Sequence, residues 1–276
     1  MWRLSNPQAA KRLRQVFARL DIPDEGPGFC DHPAFLSAEA SHPELMELYA
    51  QYVEAREYSA DYLTDAARKI GIAAAAVEAA VAKDGRLGAC VDASGMLGRM
   101  LDRLGVWNYV AKATLTVEFP ASSGLNPRYF WALDTREFVA PHAVVVAPPF
   151  GVIDVTAKHQ PYPGGVAALL PAIVLADQWD SCGWYPEDLI SPSVQVQIRR
   201  AGETFHGFLA AECPDMLQLI SRLPPRQIHH DGTSLRYVMV AVGGTVEQLE
   251  GITGYKPCNR SALQIFEQDV MPLCAQ

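Results

Sequence analysis

The hydrophobic pattern of the first hundred residues has the period of α-helices. Four apolar side chains within residues 6–20 recur at intervals of three and four: Leu13, Val16, Phe17 and Leu20. This spacing predicts an amphipathic helix. The next stretch, 21–33, is rich in Pro, Gly and Asp and predicts a loop. A second helix is expected from residue 41 or 43 to about residue 70, with a break near Ser59, and a third over 73–83.

The pattern changes from helical to alternating soon after Cys90. A helix is predicted directly after Cys90 and is expected to end at Gly105. Residues 109–119 then alternate and are rich in β-formers, and further strands are predicted at 129–133, 143–146 and 152–155. Helices followed by strands joined through short turns predict an α+β fold. In this fold the Cys-bearing helix packs on an antiparallel β-sheet.

The second half of the chain has a weaker pattern. Residues 179–192 predict an irregular loop, 194–198 alternate cleanly and predict a strand, 233–242 predict another strand, and 261–270 predict the last helix. We therefore expect an N-terminal helical region at 1–84, a core at 85–190, and a C-terminal α/β extension at 191–276. The extension would complete or cap the core, and one single domain is the alternative.

Composition narrows the functional classes. The 276 residues carry 31 acidic and 23 basic side chains, a net charge of −8, which argues against a nucleic-acid partner. No apolar stretch is long enough to predict a membrane segment. The first residues lack the apolar core of a signal peptide, so a cytoplasmic location is expected, with signal-free secretion as an effector left open. The six cysteines form no CxxC pair, and neither a metal site nor a cofactor is predicted.

Three residues next to predicted helices or strands indicate covalent catalysis. Cys90 lies in Gly88-Ala-Cys-Val-Asp-Ala-Ser-Gly95, at a junction between a loop and a helix. His142 opens one run of β-formers, and Asp154 ends the next one. A thiol at a helix N-terminus is activated by the helix dipole and by a nearby imidazole. The imidazole would accept the thiol proton, and the carboxylate would orient the imidazole.

These segments resemble the transglutaminase-like superfamily of cysteine enzymes, which is papain-like in the wider sense. The resemblance covers roughly residues 85–158. The matching pieces are Gly88-Ala-Cys90, Leu97 to Leu101, Leu104-Gly-Val106, His142-Ala-Val-Val145 and Val152-Ile-Asp-Val-Thr156. The resemblance implies that Cys90 is the nucleophile, His142 the base and Asp154 the orienting residue. Arylamine N-acetyltransferases share this order, but the chain shows no acetyl-CoA signature.

The resemblance implies an acyl-transfer enzyme that works through a thioester. We expect it to hydrolyse a peptide or amide bond of a peptide or protein substrate, as a thiol protease, amidase or deamidase does. A transglutaminase or N-acyltransferase that uses an amine acceptor is the first alternative. A non-catalytic scaffold with the same fold is the second.

Other residues compete for roles in this site. The candidates for binding the oxyanion or the substrate are Gln51, Trp107 and Asn108. His159 is the main rival to His142, but it follows Asp154 in the chain instead of preceding it. Cys182 lies in a Gly- and Trp-containing loop and is interpreted as structural.

Overall fold

The structure is a computed structural model that describes residues 2–134, 141–162, 165–245 and 247–275. Its α-helices are α1 (Pro7–Arg19), α2 (Pro33–Glu39), α3 (Leu45–Ala55), α4 (Ala60–Asp84), α5 (Cys90–Arg103), α6 (Pro186–Leu189), α7 (Pro192–Arg200), α8 (Phe205–Glu212), α9 (Pro214–Arg222), α10 (Ala262–Ile265) and α11 (Met271–Cys274). Its strands are β1 (Tyr109–Glu118), β2 (Arg128–Phe130), β3 (Ala143–Ala147), β4 (Phe150–Asp154), β5 (Val174–Ala176), β6 (Asp180–Ser181), β7 (Arg226–His230) and β8 (Thr233–Val242).

The strands form one antiparallel sheet that curls into a half-barrel. Their order across the sheet is β5-β4-β3-β1-β8-β7-β6, and β2 pairs with β1 beyond the end of β3. β8, far along the chain, therefore lies in the middle of the sheet beside β1. The prediction of an α+β fold with an antiparallel sheet is confirmed.

Helices cover both faces of the sheet. Side chains alternate between faces along a strand, so Val144 of β3 packs in a cluster with Tyr49 of α3. The next residue, Val145, packs in a second cluster with Leu97 of α5. All five residues of β3 are consequently buried. A strand that is buried on both faces reads as a continuous apolar run, which is what residues 143–147 show.

The Cys-bearing helix packs on the sheet as predicted. Ser94 is buried near the start of α5, and its hydroxyl donates a hydrogen bond of 2.9 Å to the backbone oxygen of Ala143 at the start of β3. This bond fixes the N-terminal turn of α5 relative to the strand that follows His142.

The predicted break near Ser59 is confirmed, but the helix after it is longer than expected. Ser59 is the N-cap of α4, and its hydroxyl accepts a hydrogen bond from the backbone of Tyr62. The 25-residue helix then runs without interruption to Gly85, whose positive φ of 73° ends it. The expected third helix at 73–83 is therefore the second half of α4.

The strand predicted at 194–198 is wrong, because this segment is the middle of helix α7. Ser191 is the extended N-cap and Pro192 occupies the first turn, where its missing N–H costs nothing. Gln195 and Ile198 are buried, and their spacing of three places them on one helical face. The alternation of apolar residues over five positions fits a strand as well as a helix, and the start signals decide between them.

Three other expectations need adjustment. Residues 179–192 contain β6 and α6 in place of a continuous irregular loop. α2 begins where the loop predicted at 21–33 was expected to end. The last helix is continued by a π-helical turn, Phe266–Val270, and by α11.

No helix within the described ranges is both long and apolar enough to cross a bilayer.

Gly151 tests the packing behind β4. A Cβ atom at this position would lie 2.4 Å from the ring of Trp179. We expect Gly151→Ala to lower the free energy of unfolding by about 1–3 kcal/mol, because the rigid indole has to move. Gly71 has open space around the corresponding position in α4, so Gly71→Ala should raise the stability by about 1 kcal/mol. Urea denaturation of both variants measures the two changes, and an unperturbed Gly151→Ala protein would contradict the close contact.

Candidate active site

Cys90 is the first residue of α5, and a tight turn leads into it. Gly88 has a positive φ of 73°, and its N–H donates a hydrogen bond of 2.9 Å to the backbone oxygen of His159. The N-cap of α5 is Ala89, which provides no side-chain hydrogen bond to the first turn. The first N–H groups of a helix lack intrahelical acceptors. The first N–H groups of α5 therefore lie next to Cys90, and no capping side chain accepts a hydrogen bond from them.

His142 directly precedes β3 and Asp154 ends β4, and these two strands are antiparallel neighbours. Val145 of β3 pairs with Ile153 of β4, so Val144 lies opposite Asp154. His142 is two residues before Val144 and shares its face of the strand. The Nε2 atom of His142 lies 2.6 Å from Oδ2 of Asp154, and neither side chain is exposed to solvent.

Asp154 is held by four hydrogen-bond contacts. Its Oδ2 atom accepts from His142 and from the hydroxyl of Tyr237, the latter at 3.0 Å. Its Oδ1 atom accepts from the N–H of Thr156 at 2.8 Å and from the Thr156 hydroxyl at 3.1 Å. A buried carboxylate with donors on both oxygens is satisfied and has one orientation.

The protonation of these two groups follows from their contacts. Burial opposes the charge on Asp154, but the charge of His142 and the hydrogen bonds from His142, Thr156 and Tyr237 outweigh it and hold the pKa of the carboxyl below its usual range. The carboxylate is thus an acceptor, and Nε2 of His142 must carry a proton. The other nitrogen, Nδ1, is buried and has no hydrogen-bond partner among the described residues.

Cys90 is the third member of this group. Burial works against a charged imidazole, but the charge and hydrogen bond of Asp154 outweigh it and, with the nearby Cys90 side chain, raise the pKa of His142 above its usual value. The Cys90 side chain is therefore close enough to the imidazole to influence its charge. With Nε2 bound to Asp154, Nδ1 is the nitrogen left for the thiol.

The curl of the sheet adds residues that sequence reasoning missed. Tyr237 lies on β8 and Asp154 on β4, and two strands separate them. In a flat sheet these two strands would lie about 14 Å apart, but the sheet is curled, and the Tyr237 hydroxyl lies 3.0 Å from Oδ2 of Asp154. The Tyr237 ring is 6.3 Å from the His142 ring. Phe130 of β2 lies 6.2 Å from the same imidazole. No local sequence signal marks Tyr237, because its role depends on the pairing of β8 with β1.

The residues that the sequence suggests for oxyanion or substrate binding lie away from Cys90, His142 and Asp154. They are Gln51, Trp107 and Asn108. Asn108 uses both hydrogens of its amide, at Asp102 and at the backbone oxygen of Val106, and it lines a cavity of about 270 Å³ that does not include the three residues above. The side-chain amide of Gln51 donates to the backbone of its own helix. Trp107 packs in an aromatic cluster and lies under the guanidinium of Arg56. Within the described part of the chain, no hydrogen bond or ring contact joins these three to Cys90, His142 or Asp154.

The rival residues have other contacts. His159 is bound through Nε2 to Glu78 of α4 at 2.9 Å, while its backbone holds Gly88. Cys182 is partly buried, and burial raises the pKa of its thiol. Among the described residues, His159 is paired with Glu78 and not with an aspartate, and no buried His–Asp pair like that of His142 and Asp154 is found beside Cys182.

No group of three or more His, Cys, Asp or Glu side chains is arranged to hold a metal ion in the part of the chain that the structure describes. No protein-family model, curated protein or solved structure matches this chain.

The buried pair predicts how stability changes with pH. The pKa of His142 is raised in the folded state, so the protonated imidazole stabilises the fold fully below its unfolded value of about 6.5. This contribution declines as the pH rises from there through the folded pKa. We expect the free energy of unfolding to fall with rising pH in this range, and His142→Gln to flatten that slope. Urea titrations at several pH values measure it, and an unchanged slope in the variant would contradict the assignment.

Proposed function

We propose that the protein is a cysteine-dependent acyl-transfer enzyme in which Cys90 is the nucleophile, His142 the acid–base residue and Asp154 the residue that orients the imidazole. The observation that carries this proposal is the buried pair: Nε2 of His142 is 2.6 Å from Asp154, and Nδ1 has no described partner. A structural histidine in a core normally satisfies both nitrogens. Here the remaining nitrogen is free, and the proposal assigns it to the Cys90 thiol, because general-base activation of a nucleophile needs an unpaired imidazole nitrogen.

The reaction proceeds in two steps. Nδ1 of His142 first takes the thiol proton and holds the Cys90 thiolate. Sγ then bonds to the substrate carbonyl carbon, and the carbon–nitrogen bond breaks as the same proton passes to the leaving amine. Water then attacks the thioester, gives a proton to His142, and releases the acid and the free thiol. Asp154 stays ionised throughout and stabilises the imidazolium.

The start of α5 supplies the means to stabilise the oxyanion. The first-turn N–H groups at Cys90 have no side-chain cap, and the helix dipole favours negative charge at this end. A carbonyl oxygen that becomes negative during attack by Cys90 would lie beside these donors. Backbone donors fit the site better than Asn108, whose amide hydrogens are both occupied.

Hydrolysis of a peptide or amide bond in a peptide or protein is the outcome we favour, because water is the most general acceptor. A protease, an amidase and a deamidase all fit this chemistry. If an amine replaced water as the acceptor, the protein would be a transglutaminase or an N-acyltransferase. If the residues carried out no reaction, the same fold would serve as a binding scaffold. A working thiolate fits a reducing compartment, so we propose a cytoplasmic location.

Selective alkylation of Cys90 tests the proposal. Burial raises the pKa of four other cysteines: Cys30, Cys182, Cys213 and Cys274. These four serve as internal controls in the same sample. We expect iodoacetamide to label Cys90 first below about pH 7, because a protonated His142 would hold a thiolate there. Mass spectrometry reads each site against pH, and labelling of Cys90 only at alkaline pH would favour the scaffold.

Asp154→Asn tests whether Asp154 orients the imidazole of His142. The amide keeps the size of the carboxylate but no longer holds Nε2 of His142 as the protonated nitrogen, so Nδ1 ceases to be the base. We expect the rate of Cys90 acylation by an activated ester to fall at least about a hundredfold. Asp177 is exposed, and Asp177→Asn is the control. Equal rates in both variants would remove Asp154 from the mechanism.

A further inference from the structure

Two hydrogen-bond donors share one oxygen of the Asp154 carboxylate. Oδ2 lies 2.6 Å from Nε2 of His142 and also accepts a hydrogen bond of 3.0 Å from the hydroxyl of Tyr237. Thr156 occupies the other oxygen, Oδ1, through its N–H and its hydroxyl. The imidazole and a hydroxyl from a distant strand therefore compete for the same oxygen.

The Tyr237 hydroxyl is held in place as a donor to the carboxylate. Tyr237 lies in the interior of β8, opposite Leu115 of β1 and Arg226 of β7, and its side chain is not exposed to solvent. Burial and the charge of Asp154 raise the pKa of this phenol well above its usual value. The hydroxyl therefore keeps its proton, and the ionised carboxylate can only accept it as a hydrogen bond.

Two further titratable side chains lie around the pair. Cys90 of α5 contributes to the raised pKa of His142. Tyr162 follows β4, and its hydroxyl donates a hydrogen bond of 2.9 Å to the backbone oxygen of Ala157. Neither side chain is hydrogen-bonded to Asp154 in the described part of the chain. The hydroxyl on β8 is therefore the phenol that acts directly on this carboxylate.

Two donors on one acceptor weaken each other. The carboxylate attracts the imidazolium through its charge, and a neutral hydroxyl that donates to the same oxygen draws on that charge. The hydroxyl bond is stronger when the imidazole is neutral than when an imidazolium already compensates the carboxylate. The hydroxyl therefore favours the neutral imidazole, which is the form that can take a proton from a thiol.

We infer that Tyr237 is a positioning residue that acts through Asp154: it fixes the orientation of the carboxylate and limits how strongly the carboxylate holds His142 in its protonated form. The inference rests on the proposed function, in which His142 alternates between base and acid. Without the hydroxyl, Asp154 would hold the imidazolium more firmly, and His142 would be available as a base at higher pH only.

Titration of the His142 imidazole tests this role. The full chain is isotope-labelled in the ring nitrogens of its histidines, and their NMR signals are followed against pH. His142→Gln identifies the signal of His142. We expect Tyr237→Phe to raise the pH at which the imidazolium of His142 loses its proton by up to about one unit, the equivalent of one hydrogen bond. Urea denaturation checks that the variant is folded.

A fluorinated tyrosine at position 237 makes the opposite change. Fluorine on the ring makes the phenol more acidic and the hydroxyl a stronger donor, while the ring and the hydrogen bond remain. We expect the titration midpoint of His142 to fall in this variant. Because no contact is removed, the test also holds if Tyr237→Phe does not fold. A hydroxyl that served packing alone would leave the midpoint unchanged.

Tyr109 of β1 provides the matched control. It is a buried tyrosine of the same sheet, and its hydroxyl donates a hydrogen bond of 2.5 Å to the carboxylate of Glu54. Tyr109→Phe therefore also removes a buried hydrogen bond between a phenol and a carboxylate. We expect it to lower the free energy of unfolding but to leave the titration midpoint of His142 where it is.

Acylation of Cys90 by p-nitrophenyl acetate separates this inference from the proposed function. The sulfur–carbon bond forms, the carbon–oxygen bond to p-nitrophenolate breaks, and the thiol proton passes to His142. Release of p-nitrophenolate gives the rate, and mass spectrometry locates the acetyl group. We expect Tyr237→Phe to lower this rate about fivefold, the worth of one hydrogen bond, and Tyr109→Phe to leave it unchanged.

The outcomes are distinct. If Cys90 of the unaltered chain is acylated selectively but neither change at Tyr237 moves the midpoint of His142, or Tyr109→Phe moves it equally, the positioning role is wrong and the enzyme assignment stands. If Cys90 of the unaltered chain is not acylated, the proposed function fails and the positioning role fails with it.

Discussion

The buried charge pair of His142 and Asp154 is the constraint around which this part of the molecule is built. Removing two charges from water is costly, and their mutual attraction repays that cost only when the remaining polar atoms are also satisfied. Asp154 meets this condition through Tyr237 and Thr156. His142 meets it on one side only, since its Nδ1 atom has no partner within the described residues. A fold optimised for stability alone would pair that nitrogen, so the unpaired Nδ1 supports the proposed catalytic role of His142.

The position of the pair follows from the sheet. β3 and β4 are joined by the short connection at 148–149, which places the end of one strand beside the start of the other. β3 is buried on both faces and pairs with β1 on one side and with β4 on the other. α5 is bound to the start of β3 through Ser94. The nucleophile and its proposed base are therefore held by rigid elements instead of by loops.

Much of this arrangement could be predicted from local sequence. The helix after Cys90, the strands around His142 and Asp154, and the long strands at 109 and 233 each carry a clear period. The prediction from local pattern was wrong at 194–198, where alternating apolar residues indicated a strand. This segment is part of α7, and Ser191 and Pro192 are the residues that start the helix. The oxyanion candidates stay predictions: Asn108 has the right chemistry, and its amide donates to Asp102. Tyr237 could not be found, because its approach to Asp154 depends on strand order and curl.

The insertion of β8 into the middle of the sheet has a consequence for the growing chain. The thiol, the imidazole and the carboxylate all lie within the first 154 residues, but a donor to the carboxylate belongs to residue 237. Until that residue leaves the ribosome, β1 lacks its partner on one side and Asp154 lacks one of its hydrogen bonds. Contacts between such distant residues form late, because the intervening loop has to be closed first. The proposed reactivity would thereby be tied to completion of the fold, and a nascent chain would carry an incomplete site for most of its synthesis.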